Sequence, residues 1–278
     1  YPMVLDPVIG AYQCILCGNE TFWNPDASYD LSTDTYMVVF ESWFSVTDRA
    51  IRAVRLSGRT GAPIGGLLAI SPRGRNAGNC AVANLNLRDR FVVTWQEASG
   101  SWDIKARSVA AATGAMAAEF SVAATSAQEQ HPDICGDSTT VDDEVCIVYA
   151  SGPQILWAEC TINAAGAGVV AKRATITTNG KFPAISKHGG RYPQDYCAAV
   201  VWEGSLNSIG ARLMSLDSVP LSAAGLVYGK DARRPDVDGN GSSFICAYTV
   251  DEPTTTKGDL WCFDIRRPSS PTSLWRLT

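Results

Sequence analysis

The chain has only two histidines in 278 residues, His131 and His188, and charged side chains make up 18% of it. Two histidines leave little room for histidine-rich metal centres or a Ser-His-Asp arrangement. Gly136-Asp137-Ser138 has the look of a protease serine, but it falls in an expected hairpin and reads as coincidence. No apolar stretch approaches the ~20 residues of a membrane helix. There is no excess of positive charge either: the net charge of −5 argues against general nucleic-acid binding. Disorder is excluded by the 46% hydrophobic content. The chain starts at Tyr1 rather than Met, which is read as a removed leader or a fragment.

What is present is repetition. An apolar run ending in an aromatic recurs at Tyr36–Phe40, Phe91–Trp95, Val145–Tyr149, Ala199–Trp202 and Phe244–Tyr248, with 46 to 55 residues between successive aromatics. A period near fifty residues filled with short strands is the mark of β-propeller blades. Each period divides into four strands. An opening strand follows Pro25-Asp26, Asn79-Cys80, Pro132-Asp133, Pro183-Ala184 or Pro235-Asp236, and the aromatic-ended strand comes next. A third strand rich in small residues follows, such as Ile209-Gly-Ala-Arg212, and a Gly turn then leads to the outer strand. The expected fold is all-β: a five-bladed β-propeller with four antiparallel strands per blade and an N-terminal extension strand. Blades are expected at about 25–76, 77–130, 131–181, 182–233 and 234–278. An open sandwich or a tandem of small β domains is the alternative. Residues 1–24 stand outside the repeat. Their apolar segment Val8–Leu16 is read as a clasp on the ring, or as a strand in residues 1–17 donated to a neighbouring molecule for self-association.

Nine cysteines are many for a reducing compartment. Cys146 and Cys160 flank the Gly152-Pro153 turn almost symmetrically, and Cys246 and Cys262 occupy the corresponding strands of the last blade. Cross-strand disulfides are expected there, with Cys135 as a competitor for Cys146, and with them an extracellular setting. Cys14-Ile-Leu-Cys17 lacks a second ligand pair and is read as a local disulfide or core thiols rather than zinc. Asp236-Val-Asp238-Gly-Asn240-Gly241 resembles the head of a calcium loop, but it lacks the distal glutamate, and turn chemistry accounts for it. No cofactor is expected, with calcium the weak alternative. The sequons at Asn19 and Asn240 decide nothing.

Two site readings emerge. Asp26, Asp133 and Asp236 hold equivalent positions at the start of the inner strands. Such aspartates either bond backbone amides or act as paired carboxylates in glycoside hydrolysis, and the structural role is favoured. The loops that lead from outer to inner strands carry Arg73, Arg75, His131, Lys181, Lys230, Arg233 and Arg234 against Glu129 and Asp231. Loops between second and third strands on the same face add Trp43-Phe44 and Trp102. A cationic, aromatic-rimmed funnel suits anionic sugars, because arginine grips carboxylates and indoles stack on sugar rings; an ordinary solvated face is the competing reading.

The repeat, Pro-Asp-x-x-x-Asp at residues 25–30, Val92-Val-Thr-Trp95, Asp103-Ile-Lys-Ala-Arg107 and Gly114, resembles the propeller repeats of secreted bacterial proteins over residues 25–278. That resemblance implies a surface binding or adhesion scaffold. Five-bladed rings also include tachylectin-type lectins and arabinanase- or invertase-type glycosidases, whose acidic motifs have no convincing counterpart here. Sialidase-type Ser-x-Asp-x-Gly-x-x-Trp boxes are absent. The expectation is therefore a secreted or cell-surface, non-catalytic module that binds glycans or another surface ligand. A glycoside hydrolase using the axial carboxylates and a structural subunit assembled through its N-terminal strand are the alternatives.

Overall fold

A computed structural model describes residues 14–15, 21–136, 143–187, 190–192, 195–205, 208–215, 218–222, 225–227, 231–239, 243–250, 259–265 and 274–277. Residues 1–13 and 16–20, Asp137, Ser138, Lys230, Asn240 and Gly241 lie outside them, so the N-terminal strand and both sequons are not described. The architecture is all-β, and antiparallel throughout. The first sheet runs β1 (Thr21–Asp30), β2 (Thr35–Trp43), β3 (Arg49–Ser57), β4 (Pro63–Ala69) in simple meander order. The second holds β5 (Gly78–Leu85), β6 (Arg90–Ser99), β7 (Ser101–Ala110) and β8 (Phe120–Ala123), and the third β9 (Glu129–Cys135), β10 (Glu144–Ser151), β11 (Gln154–Ile162) and β12 (Gly168–Thr177). In the fourth, β13 (Lys181–Ile185) and the short β14 (Gly190–Tyr192) both pair with β15 (Asp195–Glu203), followed by β16 (Ile209–Ser215) and β17 (Gly225–Val227). The fifth is β18 (Ala232–Gly239), β19 (Phe244–Val250), β20 (Asp259–Ile265) and β21 (Leu274–Leu277).

The sheets stack as propeller blades. Buried clusters join the first sheet to the second, the second to the third, the third to the fourth and the fourth to the fifth. The aromatics that end the repeated runs are the bulk of these layers: Trp95, Tyr149 and Trp202 are almost wholly enclosed. Small residues in the third strands answer them. Gly210 lies directly opposite Trp202, and a Cβ there would come within 2.1 Å of the indole, so only glycine lets the ring lie flat. The inner strands β1, β5, β9, β13 and β18 touch in succession.

Each inner strand carries the same bulge. The residue at its kink takes a left-handed backbone: Asn24, Asn79, His131, Phe182 and Arg234 have φ between 47° and 54°. Two residues further on stand Asp26, Ala81, Asp133, Ala184 and Asp236, where regular pairing resumes. The second repeat therefore aligns on Cys80-Ala81, one residue beyond the expected Asn79-Cys80. Such kinks at blade rims re-aim side chains, and here they aim them at the axis.

The expected disulfides are corrected by register. The hairpin between β10 and β11 is a two-residue turn, so Val145 pairs with Cys160 and Cys146 with Glu159. A one-residue offset puts the two sulfurs on opposite faces; Cys160 packs between the second and third sheets, Cys146 between the third and fourth. The same offset separates Cys246, opposite Phe263, from Cys262, opposite Ala247. Burial pushes the Cys160 thiol up to about 12 and raises Cys146 and Cys246 as well. Cys14 is disulfide-bonded, and Cys17 lies outside the described residues. Cys146 does face a cysteine, Cys135 on β9. Directly opposed antiparallel residues are ~4.5–5.5 Å apart at Cα, within disulfide reach. On mild oxidation, peptide mapping is expected to yield a Cys135–Cys146 link and no Cys146–Cys160 link; the reverse would refute this register.

Candidate functional site

The five kinks converge on one cavity of about 890 Å³ at the axis. All five left-handed residues line it, as do Asp26, Asp133 and Asp236. Neighbouring blades are tied there by two kinds of side-chain bond. The first uses the aspartates. Asp26 Oδ1 accepts the Ala27 amide and Oδ2 accepts the Val82 amide of the second blade. Asp133 does the same with Ile134 and with Ile185 of the fourth blade. The second kind uses the residue after three of the repeated aromatics, Phe40, Trp95 and Trp202. Glu41 Oε1 accepts the Asn79 amide, Gln96 Oε1 the His131 amide and Glu203 Oε1 the Arg234 amide. Each acceptor thus holds the kink of the next blade.

Lys187 stands at the centre. The inner strand of the fourth blade breaks between β13 and β14, with Ser186 Oγ accepting the Ala199 amide, and the break turns Lys187 inward. Its ammonium donates to Asp26 Oδ2 and to the Val82 carbonyl at 3.3 Å, and lies 3.6 Å from Asp133 Oδ1. Burial works against its charge, but the Asp133 and Asp26 carboxylates outweigh that cost and hold it well above the ordinary lysine range. Burial raises the Asp133 carboxyl, with Lys187 opposing.

The side chains expected from sequence divide into two groups. His131, Lys181, Arg233 and Arg234 do meet in the cavity. There Lys181 lies 3.3 Å from Glu203, whose other oxygen holds the Arg234 amide, and the rings of His131 and Phe182 lie 4.4 Å apart. Burial lowers the His131 pKa, which keeps the ring neutral and able to accept from Asn79 Nδ2 at 3.2 Å. Arg73 and Arg75 do not line the cavity. Arg73 is spent on Asp48, 2.5 Å away, and lies 3.8 Å above the Phe44 ring; this bond is the main cause holding the Asp48 carboxyl low. Arg75 is bound by Glu119 at 2.5 Å and Glu97 at 3.3 Å. Trp102 sits half-buried in the β6–β7 hairpin, and Trp43 lines a separate recess. The cavity is consequently balanced rather than cationic: Lys181, Lys187, Arg233 and Arg234 face Asp26, Asp133, Asp236 and Glu203. Asp236 and Asp238 lie within the extended β18, each accepting the next residue's amide, and Asn240 and Gly241 of the calcium-like run lie outside the described residues. Among the described residues no cluster of three or more His, Cys, Asp or Glu side chains could hold a metal ion.

Lys187, Phe182, Glu203 and Glu41 were not singled out from sequence. The last two carried a signal, since each follows the terminal aromatic of a repeated run. Lys187 carried none, because its blade alone breaks its inner strand.

No family model matches the sequence, and no curated protein matches it. The fold does have solved counterparts. A neuraminidase-like protein from A/bat/Guatemala/164/2009 superposes with a TM-score of 0.54 at 9% identity, over 92% of this chain and 74% of that one. The Dos1 propeller gives 0.53 at 9% identity, over 94% and 75%. An apocarotenoid oxygenase from Synechocystis gives 0.55 at 9% identity, over 95% and 63%. Likeness at this identity concerns the backbone alone, and with five stacked antiparallel sheets it makes the chain a β-propeller.

Proposed function

We propose that this chain is an extracellular, non-catalytic binding module that takes an acidic glycan into the axial cavity. The observation that carries the reading is the pair of exposed arginines, Arg233 and Arg234, on the cavity wall together with the exposed ring of Phe182. Two guanidinium groups offer paired donors to a carboxylate, and a phenyl face accepts the apolar side of a sugar. Lys187 is engaged by two aspartates and Lys181 by Glu203, while the side chains of Arg233 and Arg234 reach solvent on the cavity wall. A secreted setting agrees with this ligand class and with the resemblance of the repeats; fractionation of the native host would test it.

The test is calorimetric titration with oligogalacturonate. Arg233→Ala together with Arg234→Ala is expected to weaken binding by about a hundredfold or more, since charge-assisted hydrogen bonds contribute ~1.5–3 kcal/mol each and two are lost. The remaining affinity should depend less on salt. Equal affinity in the variant would remove the arginines from the site. A second reading, glycoside hydrolysis, is favoured by one observation: Asp133 has a raised carboxyl beside Asp26. Against it, both oxygens of each aspartate accept backbone amides and an ammonium lies between them. Release of reducing ends in the same titration, lost in Asp133→Asn, would put hydrolysis in place of binding.

A further inference from the structure

A second opening lies beside the axial cavity. On the shoulder between the first two blades is a recess of about 120 Å³ whose wall is Trp23 and Trp43. Trp23 is 52% exposed and Trp43 37%, although an indole at a blade interface is normally buried, as Trp95, Trp157 and Trp202 are. The two rings lie 5.8 Å apart at 38°, so together they present an open, bent aromatic shelf. Trp43 is held in place: its Nε1 donates to Glu41 Oε2 at 3.0 Å, and the Arg49 guanidinium covers its ring at 4.9 Å.

The floor is polar and pre-set. Gln96, only 5% exposed, lines the recess. Its Oε1 accepts both Asn79 Nδ2 at 2.8 Å and the His131 amide at 2.8 Å, which fixes the orientation of the carboxamide. Among the described residues nothing accepts from Gln96 Nε2. Asn79 spends its Nδ2 on Gln96 and His131, and among the described residues nothing donates to its Oδ1. Gln96 and Asn79 both line the recess with the aromatic wall, and between them they leave one amide donor and one carbonyl acceptor unmatched among the described residues.

We propose that this recess is a binding site for one pyranose ring of a neutral glycan. The C–H face of the sugar would lie on the indoles, and a vicinal pair of hydroxyls, each able to donate and accept, would meet Gln96 Nε2 and Asn79 Oδ1. The volume limits the occupant to about one ring seated at a time. A proline-rich peptide also lies well on aromatics, but proline has no N–H to give Asn79 Oδ1. The recess holds one charge of each sign, Glu41 and Arg49 3.9 Å apart, so an anionic ligand gains no net attraction there. The site shares Asn24 and Asn79 with the axial cavity, but its aromatic wall and Gln96 belong to the recess alone.

The test uses the whole chain and cellohexaose, whose all-equatorial rings present C–H faces on both sides. Titration is expected to saturate in the millimolar range. Trp23→Ala should weaken it about tenfold, equivalent to ~1.4 kcal/mol, while Arg233→Ala/Arg234→Ala leaves it unchanged. Trp23 is exposed, so unaltered thermal melting should accompany the loss. As a measurement that needs no variant, cellohexaose should protect Trp23 from oxidation by N-bromosuccinimide in peptide mapping, while Trp102 oxidises as before. No saturation by roughly 10 mM, no protection of Trp23, or binding of octaproline at the same shelf in place of cellohexaose would each overturn the assignment. If the unmutated chain binds cellohexaose but not oligogalacturonate, only the axial reading falls.

Discussion

Replacing Lys187 with methionine is expected to lower stability by about 3 kcal/mol at neutral pH, the scale seen when one partner of a buried ion pair is removed. The ammonium joins Asp26 of the first blade to Asp133 of the third, and it is the cation that offsets their burial. Methionine fills similar space but leaves two carboxylates facing each other in the cavity. The sign of the pH dependence follows. In the variant, protonating the carboxyls removes the uncompensated charge, so its deficit should shrink as pH falls below about 5. In the wild type, Lys187 is held above its unfolded value of ~10.4. Its stabilising contribution is complete below that pH and is lost as pH rises through the folded value. Urea midpoints at pH 4, 7 and 9 would measure this; an equal deficit at pH 4 and 7 would refute the role given to Lys187.

Glu41→Ala is expected to cost a similar amount, about 3 kcal/mol, by stranding donors rather than charges. The side chain is 1% exposed and accepts from Asn24 Nδ2 at 2.7 Å, the Asn79 amide at 2.6 Å and Trp43 Nε1 at 3.0 Å. Asn24 and Trp43 can turn to water once released, whereas the Asn79 amide between two blades cannot. Glu41→Gln keeps one acceptor oxygen and should recover most of the loss. Loss of cellohexaose binding should accompany Glu41→Ala, because Trp43 would no longer be held upright. Thermal melts of the two variants would decide, and equal melting for Ala and Gln would show that the acceptor oxygen does not matter.

The legible part of this molecule is the part that repeats. A buried strand ending in an aromatic must be written in apolar residues wherever it occurs, and Phe40, Trp95, Tyr149, Trp202 and Tyr248 mark five of them. The small residues opposite were legible for the same reason, as Gly210 against Trp202 demonstrates. The kinks were not legible, because Asn79, His131 and Arg234 alike take a left-handed backbone where the blade next door supplies an acceptor. The cysteine pairs went astray by one residue. Sequence spacing around a turn does not say how many residues the turn consumes, and one residue changes the face.

Charge shows the same division. Counting basic residues along the loops pointed to the axial face, and four of those side chains are there. Their partners come from elsewhere in the chain: Glu203 from a second strand, Asp26 from 161 residues away from Lys187. By itself the sequence determined the blade, since periodicity and burial act within about fifty residues. Only the tertiary structure decided the site, because closing the blades around an axis brings ionised groups from distant repeats within ion-pair range and leaves Trp23 and Trp43 uncovered at the shoulder.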